Sequence, residues 1–278
     1  MLLVAESGST KTEWWIDGIS FSGGGLNPMT KDESEILHEL RLIKEQLDKE
    51  NLGVTRVRFY GAGCSSEYFR NIMQKLIKSV MTKVEDVIIG HDLDAAAFAL
   101  FPESNGIACI LGTGSNCAFV KEGEIKKSIR ALGYILGDEG SASHIGRIFL
   151  RKYFYHELEE SVVHEFEKKL SMSKYDIMER IYKKPNANVF LAQIGGQVAQ
   201  IHNSQSVSEI IEKCLEDFFK HRLLKLKKYS SKIGFVGSVA YYHEKILHAL
   251  AEEYGFEIIK IIKNPAQELY NYWNNENN

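Results

Sequence analysis

The chain has 278 residues, which suits two domains of ordinary size better than one. Its hydrophobic share of 44% and charged share of 26% exclude extended disorder, which needs low hydrophobicity and high net charge. A net charge of −3 excludes a general attraction to nucleic acid, and no apolar run approaches the roughly 20 residues of a membrane span. Because Met1 leads directly into a strand-like segment without a basic start or a cleavage pattern, we expect an untargeted, cytoplasmic protein.

Hydrophobic patterning in the first half of the chain predicts a sheet with helical crossovers. Runs rich in aromatic and β-branched residues predict strands, and apolar residues spaced three or four apart predict helices. Asp32 is placed to cap the first helix. The predicted strands cover 2–6, 12–17, 19–22, 56–60 and 86–89, and the predicted helices cover 32–50, 67–81 and 94–101. The order is βββαβαβα.

The second half opens in the same way, and setting Gly8 over Gly114 aligns Ser9 with Ser115. The predicted strands cover 107–111, 116–121, 125–130, 232–236 and 256–261, and the predicted helices cover 141–155, 207–229, 243–254 and a last stretch from about 265. The basic run 220–228 is interpreted as the solvated face of its helix. A repeated βββαβαβα order predicts an α/β protein with two similar lobes that face each other.

Each half carries a turn of small and hydroxyl residues between its first two strands. In the turn 7–11, small side chains let backbone N–H groups approach phosphate oxygens, hydroxyls add donors, and Lys11 can offset negative charge. The Walker A pattern is absent, and by itself this turn also fits a plain tight hairpin. Glycine at alternate positions of the second turn, 112–116, does not help strand pairing and favours a phosphate role.

Two aspartates follow the last predicted strand of the first half. Phosphoryl transfer needs a carboxylate that orients the attacking hydroxyl and accepts its proton. Asp92 directly follows the strand, at the sheet edge where open α/β sheets bind ligands, whereas Asp94 lies where a helix N-cap is needed. We therefore predict Asp92 as the base and Asp94 as the cap. The alternative is that both carboxylates only terminate helices.

Three further segments fit two interpretations each. The run 133–141 places Asp138 and Glu139 ahead of a helix, where acids suit the helix dipole or bind sugar hydroxyls. Asn27, in a glycine-rich loop, fits a turn residue or a sugar ligand. Gly237 and Ser238 follow a predicted strand, in a turn that can lie against a nucleotide base or bind nothing.

Four motifs together resemble the N-acetylglucosamine kinase branch of the BadF/BadG/BcrA/BcrD ATPase family. The motifs cover 6–12, 112–116, 136–141 and 237–239, in the family's order and spacing, and the resemblance covers nearly the whole chain. It implies an α/β fold of two actin-like, ribonuclease-H-like lobes around a cleft for ATP and sugar. It also implies an ATP-dependent kinase of an amino sugar, with N-acetylglucosamine as the leading substrate and N-acetylglucosamine 6-phosphate as the product.

The resemblance implies a role for each matched residue. The implied contacts to the ATP phosphates are Ser9, Thr10, Lys11, Thr113 and Gly114. The implied contacts to adenosine are Gly237 and Ser238, and the implied ligand of Mg²⁺ is Glu6. The implied contacts to the sugar are Asn27, Asp92, Ser115, Asn116 and Asp138, with Asp92 as the catalytic aspartate.

The expected domain organisation follows from the repeat and the resemblance. We expect one lobe over 1–103, a second lobe with inserted helices over 104–264, and a terminal helix over 265–278 that packs on the first lobe. Related kinases close their lobes around the sugar, which excludes water from the reaction. The family likeness also predicts a homodimer.

Two other functions are compatible with the same family resemblance. One is an ATPase that activates a 2-hydroxyacyl-CoA dehydratase; such activators resemble iron–sulfur proteins, with cluster cysteines near a dimer interface. The isolated Cys64, Cys109, Cys117 and Cys214 form no CxxC pair, which argues against it and against a zinc knuckle or a disulfide framework. The other is a non-catalytic sugar sensor, against which the presence of Asp92 argues.

Overall fold

The first half of the chain forms a mixed five-stranded sheet with the strand order β3-β2-β1-β4-β5 in the computed structural model, which describes residues 1–201 and 204–275. The central strand β1 is antiparallel to β2 and parallel to β4. The strands are β1 (Leu2–Ser7), β2 (Lys11–Ile16), β3 (Ile19–Gly24), β4 (Arg56–Gly61) and β5 (Asp86–His91). The helices are α1 (Glu33–Lys49), α2 (Glu67–Val80) and α3 (Asp92–Leu100). Asp32 is the N-cap of α1, as predicted.

The second half forms a sheet with the order β10-β9-β6-β7-β8. Its strands are β6 (Asn105–Leu111), β7 (Ser115–Lys121), β8 (Glu124–Ser128), β9 (Lys232–Val236) and β10 (Glu257–Ile262). Its helices are α4 (Gly133–Leu136), α5 (Ala142–Phe154), α6 (Glu160–Leu170), α7 (Lys174–Tyr182), α8 (Ala187–Val198), α9 (Gln205–Phe218), α10 (Leu224–Leu226), α11 (Ser238–Tyr242), α12 (Glu244–Tyr254) and α13 (Ala266–Asn275). A π-helical turn, Phe219–Leu223, joins α9 to α10.

The two sheets share one plan. Read from the opposite edge, the second sheet runs β8-β7-β6-β9-β10, which repeats the order of the first sheet strand for strand. The predicted α/β fold with two lobes of repeated βββαβαβα order is therefore confirmed. The second half departs from the first by its inserted helices, of which α6, α7 and α8 are not predicted by the patterning. No helix in 1–201 or 204–275 is long and apolar enough to cross a membrane.

Helix α3 begins two residues earlier than predicted, and this corrects the position of Asp94. His91 is the N-cap, Asp92 is the first helical residue, and Asp94 is the third. Asp94 still serves the helix start, because its Oδ2 accepts a hydrogen bond from the His91 backbone N–H at 2.9 Å. The predicted N-cap at Asp94 is wrong because the imidazole of His91 takes that position and accepts from the Leu93 N–H.

The basic run 220–228 contains an exception to the predicted solvated face. Lys220 and Lys225 are exposed, but Arg222 in the π-helical turn is only 2% exposed. Its position continues the apolar stripe of α9, which buries Phe218 one turn earlier and Leu226 one turn later. The interpretation of the whole run as solvated is therefore wrong at Arg222.

The terminal helix α13 packs against the first sheet. Leu269 is fully buried in a cluster with Leu2, Val4 and Tyr60, and the Trp273 ring N–H donates to the Tyr60 hydroxyl at 2.7 Å. Residues 276–278 of the predicted helix lie outside the described residues. The division of the chain into lobes at 103 and 264 stays a proposal.

Candidate active site

The two predicted phosphate turns meet. Thr10 lies in the turn between β1 and β2, and Thr113 lies in the turn between β6 and β7. Their hydroxyl oxygens are 2.8 Å apart, in a hydrogen bond between residues 103 positions apart in the chain. Because β1 and β6 are the central strands of their sheets, the contact joins the two sheets at corresponding ends.

Buried hydroxyls fix the shape of the first turn. Ser7 Oγ lies 2.7 Å from Thr12 Oγ1 and accepts from the Leu26 N–H at 2.8 Å. Thr12 Oγ1 in turn donates to the Gly24 carbonyl at 2.8 Å. These hydrogen bonds therefore hold the turn and the glycine-rich loop after β3 together. The Thr10 side chain lies at the surface.

Ser9 and Lys11 complete the predicted phosphate contacts of this turn. The Asn27 side-chain amide donates to Ser9 Oγ at 3.5 Å, so a predicted phosphate residue and a predicted sugar residue are neighbours. The Lys11 ammonium pairs with Glu13, and its side chain is 62% exposed. A solvated ammonium of this kind can move to a bound anion at small cost, because exposed ion pairs contribute little.

Carboxylates gather beneath the first turn. Burial raises the pKa of Glu6 to about 8, the charges of Asp92 and Glu13 add to the rise, and Lys11 opposes it. A cation beside Glu6 would relieve this repulsion, and Mg²⁺ usually binds one or two carboxylates together with substrate phosphates. The donor set therefore fits a magnesium ion that arrives with a nucleotide. Within the described ranges, no group of three or more His, Cys, Asp or Glu side chains could hold a metal.

His91 holds the carboxylate of Asp92. Its Nδ1 accepts from the Leu93 N–H at 3.4 Å, so the ring proton is left on Nε2, which lies 3.0 Å from Asp92 Oδ1. Burial lowers the pKa of His91, but the hydrogen bond to Asp92 and the charges of Asp92 and Asp94 outweigh it and raise the pKa overall. The arrangement orients one oxygen of Asp92, a residue with a 21% exposed side chain.

The predicted sugar residues of the second half lie around the second turn. The Ser115 N–H donates to Asp138 Oδ1 at 3.4 Å, and burial raises the pKa of Asp138. Ser115 Oγ is buried and has no hydrogen-bond partner among residues 1–201 and 204–275, and Asn116 is the next residue of β7. Asn27, in the first half, is 8% exposed, and its Oδ1 accepts from the Met29 N–H at 2.9 Å.

The acids ahead of α5 are not its caps. Ser141 is the N-cap, and its hydroxyl accepts from the His144 N–H at 3.2 Å. The first N–H groups of α5 donate to the second turn instead, from Ala142 to the Gly112 carbonyl at 2.9 Å and from Ser143 to the Thr113 carbonyl at 3.2 Å. The side chains of Asp138 and Glu139 instead contact Ser115 and Arg222.

One residue that the patterning did not single out as a ligand, Arg222, lies behind this group. Arg222 Nη2 donates to Asn116 Oδ1 at 3.2 Å, and Arg222 Nη1 lies 3.6 Å from Glu139 Oε2. The signal that could have revealed Arg222 is a charged residue at a core position of an apolar helical stripe, since such a charge is expected to be paired.

The predicted adenosine turn packs directly on the second phosphate turn. Gly237 has φ of 121°, and a Cβ there would lie 2.3 Å from the Leu111 carbonyl oxygen, so only glycine fits. Ser238 begins α11 and is exposed. Near it, the Lys263 ammonium contacts the Tyr242 hydroxyl at 2.6 Å.

All four cysteines are buried and free. Burial raises the pKa of the Cys64 thiol to about 12 and that of Cys117 to about 11. Buried, protonated thiols do not suit an exposed iron–sulfur cluster, whose ligands are thiolates.

A buried histidine beside the site makes stability depend on pH. Burial and the charge of Arg147 lower the pKa of His144 from 6.5 to about 4, with Arg151 adding and Asp217 and Glu139 opposing. The unfolded chain binds a proton there near pH 6.5 and the folded chain does not, so the free energy of unfolding should fall as pH drops from about 6.5 towards 4, by on the order of 3 kcal/mol. Urea unfolding at several pH values measures this fall.

The matched control is His144→Asn. Asparagine can still accept from the Gly140 N–H, which now donates to His144 Nδ1 at 3.2 Å, but it does not titrate. The variant should lose stability less steeply over this pH range. An identical slope in both proteins would show that His144 is not the source.

Comparisons with known proteins now bear on this geometry. No protein-family model matches the chain, and no curated protein matches it. Among solved structures, the chain is similar to a protein from Porphyromonas gingivalis named "putative N-acetylglucosamine kinase", with 31% identity, 100% of each chain covered and a TM-score of 0.92.

Two more distant structures show the fold alone. A protein of the same name from Chromobacterium violaceum is 14% identical, with 98% of each chain covered and a TM-score of 0.71. MreB5 of Spiroplasma citri, bound to AMPPNP, is 10% identical, with 99% of this chain and 97% of that chain covered and a TM-score of 0.57.

Proposed function

The chain belongs to the N-acetylglucosamine kinase branch of the BadF/BadG/BcrA/BcrD ATPase family, and we propose that it transfers the terminal phosphoryl group of ATP to an amino sugar. The substrate is N-acetylglucosamine and the product is N-acetylglucosamine 6-phosphate. The observation that carries the proposal is the contact of 2.8 Å between the hydroxyls of Thr10 and Thr113. Turns from two sheets can hold one triphosphate only if they lie close together.

In the proposed reaction, the sugar hydroxyl oxygen forms a bond to the γ-phosphorus while the bond from that phosphorus to the ADP oxygen breaks. The hydroxyl proton passes to Asp92. His91 Nε2, at 3.0 Å from Asp92 Oδ1, orients one carboxylate oxygen and leaves the other for the substrate. Within the described residues, the Asp92 carboxylate accepts no hydrogen bond, and its Oδ1 is buried.

The remaining residues bind and orient. The phosphate contacts are Ser9, Thr10, Lys11, Thr113 and Gly114, and the adenosine contacts are Gly237 and Ser238. The sugar contacts are Asn27, Asp92, Ser115, Asn116 and Asp138. Glu6 helps to hold Mg²⁺, which offsets the phosphate charge when it is bound with the nucleotide.

The proposal includes closure of two lobes, 1–103 and 104–264, around the sugar. Closure would exclude water and so limit hydrolysis of ATP without transfer. It also includes assembly of the protein as a homodimer.

The test is an ADP-release assay with a panel of amino sugars. The purified protein is given ATP, Mg²⁺ and, in turn, N-acetylglucosamine, N-acetylmuramic acid, N-acetylmannosamine and glucosamine. We expect N-acetylglucosamine to stimulate ADP release most and to carry the phosphoryl group on its 6-hydroxyl by NMR. ADP release that no sugar stimulates, from a coloured, iron-containing protein purified without oxygen, would favour the dehydratase activator instead.

Thr113→Val tests the phosphate contact that the second turn supplies. Valine keeps the side-chain shape but removes the hydroxyl, so we expect KM for ATP to rise about tenfold, as a lost hydrogen bond to a charged group predicts. The control is Thr55→Val, since the exposed Thr55 hydroxyl hydrogen-bonds to the Met1 backbone, away from the site. An unchanged KM for ATP in Thr113→Val would remove Thr113 from the nucleotide site.

A further inference from the structure

Arg222 is a buried charge whose partners lie beside the proposed sugar site. The guanidinium is 2% exposed. Its Nη2 donates to Asn116 Oδ1 at 3.2 Å and to the Ile129 carbonyl at 3.4 Å, and its Nη1 lies 3.6 Å from Glu139 Oε2. The Nε atom is buried and has no hydrogen-bond partner in the part of the chain that the structure describes.

A buried arginine with these partners is not expected to stabilise the core more than an apolar side chain of similar size would. Burying an ion costs several kcal/mol unless good hydrogen bonds compensate, and an apolar residue of similar size is often as stable or more stable. Here one nitrogen is unsatisfied and the Glu139 contact is long. The residue also sits in a π-helical turn, Phe219–Leu223, and such turns occur frequently at functional sites.

Arg222 fixes the orientation of the Asn116 amide. Arginine only donates hydrogen bonds, so the atom that faces Nη2 must be the amide oxygen. The same oxygen accepts from the Cys117 N–H at 2.9 Å. Asn116 Nδ2 makes no hydrogen bond within the described part of the chain, and Asn116 is half-buried. Its two N–H groups are therefore available to an acceptor in the cleft.

Arg222 also affects the charge of the proposed sugar site beside Asn116 and Glu139. Its guanidinium faces Glu139, so it offsets a carboxylate that would otherwise attract a cationic ligand. The free ammonium group of an amino sugar only donates hydrogen bonds, and it would meet the donors of Asn116 rather than an acceptor. A sugar with an acylated nitrogen carries a neutral carbonyl oxygen that can accept from Nδ2.

We propose that Arg222 is a positioning residue that makes the sugar site select an N-acylated sugar over the free amino sugar, by fixing the Asn116 amide and offsetting Glu139. This inference rests on the proposed function. To the proposed function it adds a residue, Arg222, that acts through Asn116 without touching the substrate. It also adds a preference of the site for the N-acylated sugar over the free amino sugar.

The experiment compares kcat/KM for N-acetylglucosamine and for glucosamine at saturating ATP. In Arg222→Met, kcat/KM for N-acetylglucosamine divided by kcat/KM for glucosamine should fall roughly tenfold, mainly because KM for N-acetylglucosamine rises. KM for ATP should stay unchanged. Arg58→Met is the matched control, because Arg58 is also buried, at 5% exposed, and pairs with Asp86 away from the site. It should lower stability without changing the sugar ratio.

Asn116→Asp keeps the test valid if Arg222→Met does not fold. Aspartate has the size of asparagine and still accepts from Arg222 and Cys117, but it replaces the two free donors with an acceptor. The ratio should fall again. An unchanged ratio in an active Arg222→Met protein, or in Asn116→Asp, would overturn the role of Arg222 alone. Absence of sugar-stimulated ADP release from the unaltered protein would overturn the proposed function and this inference with it.

Discussion

Asp92→Asn is expected to lower kcat for sugar phosphorylation by roughly 10³-fold and to change the sugar dissociation constant little. Asparagine has the size of aspartate and can keep the 3.0 Å contact that Asp92 Oδ1 makes with His91 Nε2, so the geometry of the site should survive. What is lost is the ability to take the proton of the attacking hydroxyl. Steady-state kinetics with sugar-binding calorimetry separates the two quantities.

Asp94→Asn is the matched control for this prediction. The Asp94 oxygen accepts from the His91 N–H at 2.9 Å, and an asparagine oxygen can do the same. Loss of the charge in the first turn of α3 should cost under about 1 kcal/mol of stability and little activity. Full activity in Asp92→Asn together with loss in Asp94→Asn would make Asp94 the base, which the sequence alone left open.

The fold could be predicted because its signals are local. Alternating or β-branched runs define the strands, and apolar spacing defines α1, α2 and the continuous helical stretch from α9 to α10 within a few residues. The inserted helices α6 to α8 escaped prediction because each is short, with 11, 9 and 12 residues, and gives only a brief periodic pattern. Their placement depends on packing against α5, which a local pattern does not contain.

The turns were visible in the sequence, but their contact was not. Small and hydroxyl residues identify each turn separately, because few side chains allow a ligand to approach the backbone. The hydrogen bond between Thr10 and Thr113 joins residues 103 positions apart. This hydrogen bond follows from how the two sheets pack. In the sequence, only the repeated βββαβαβα order indicated that the two turns would occupy equivalent positions in their lobes.

At the start of α3, several residues are suitable for the N-cap position. The segment 91–94 offers His91, Asp92 and Asp94 as possible caps, and propensity favours aspartate over histidine at the N-cap. The structure uses His91 there, with Asp94 reaching back to the His91 N–H, which is a reciprocal arrangement. This choice leaves Asp92 outside the capping network, a result that helix propensity alone does not predict.

Arg222 escaped prediction for a different reason. In the sequence it lies in a basic run, and most members of that run are indeed exposed. The π-helical turn that carries it has no simple sequence signature, and its partners Asn116 and Glu139 are far away in the chain. A charged residue on an apolar stripe is the one local sign that it is paired.

Gly25→Ala is expected to reduce kcat/KM for ATP by about 100-fold. A Cβ at Gly25 would lie 2.5 Å from the Ser9 carbonyl carbon and oxygen and 2.6 Å from the Gly8 carbonyl oxygen. These are backbone atoms of the first turn, so no side chain can swing aside and the turn itself must move. A displacement of about 1 Å in a group that positions phosphate is enough for an effect of this size.

The same substitution should lower the free energy of unfolding by about 1–3 kcal/mol, because the buried loop and the turn are packed as one unit. Gly53→Ala is the control, since a Cβ at Gly53 would have no heavy atom within 4 Å among the described residues other than its own chain neighbours. Thermal unfolding and ATP kinetics are measured on both variants. A Gly25→Ala protein that loses stability but keeps its ATP kinetics would mean that the turn 7–11 does not hold the phosphates, since the turn cannot stay in place once the methyl group is present.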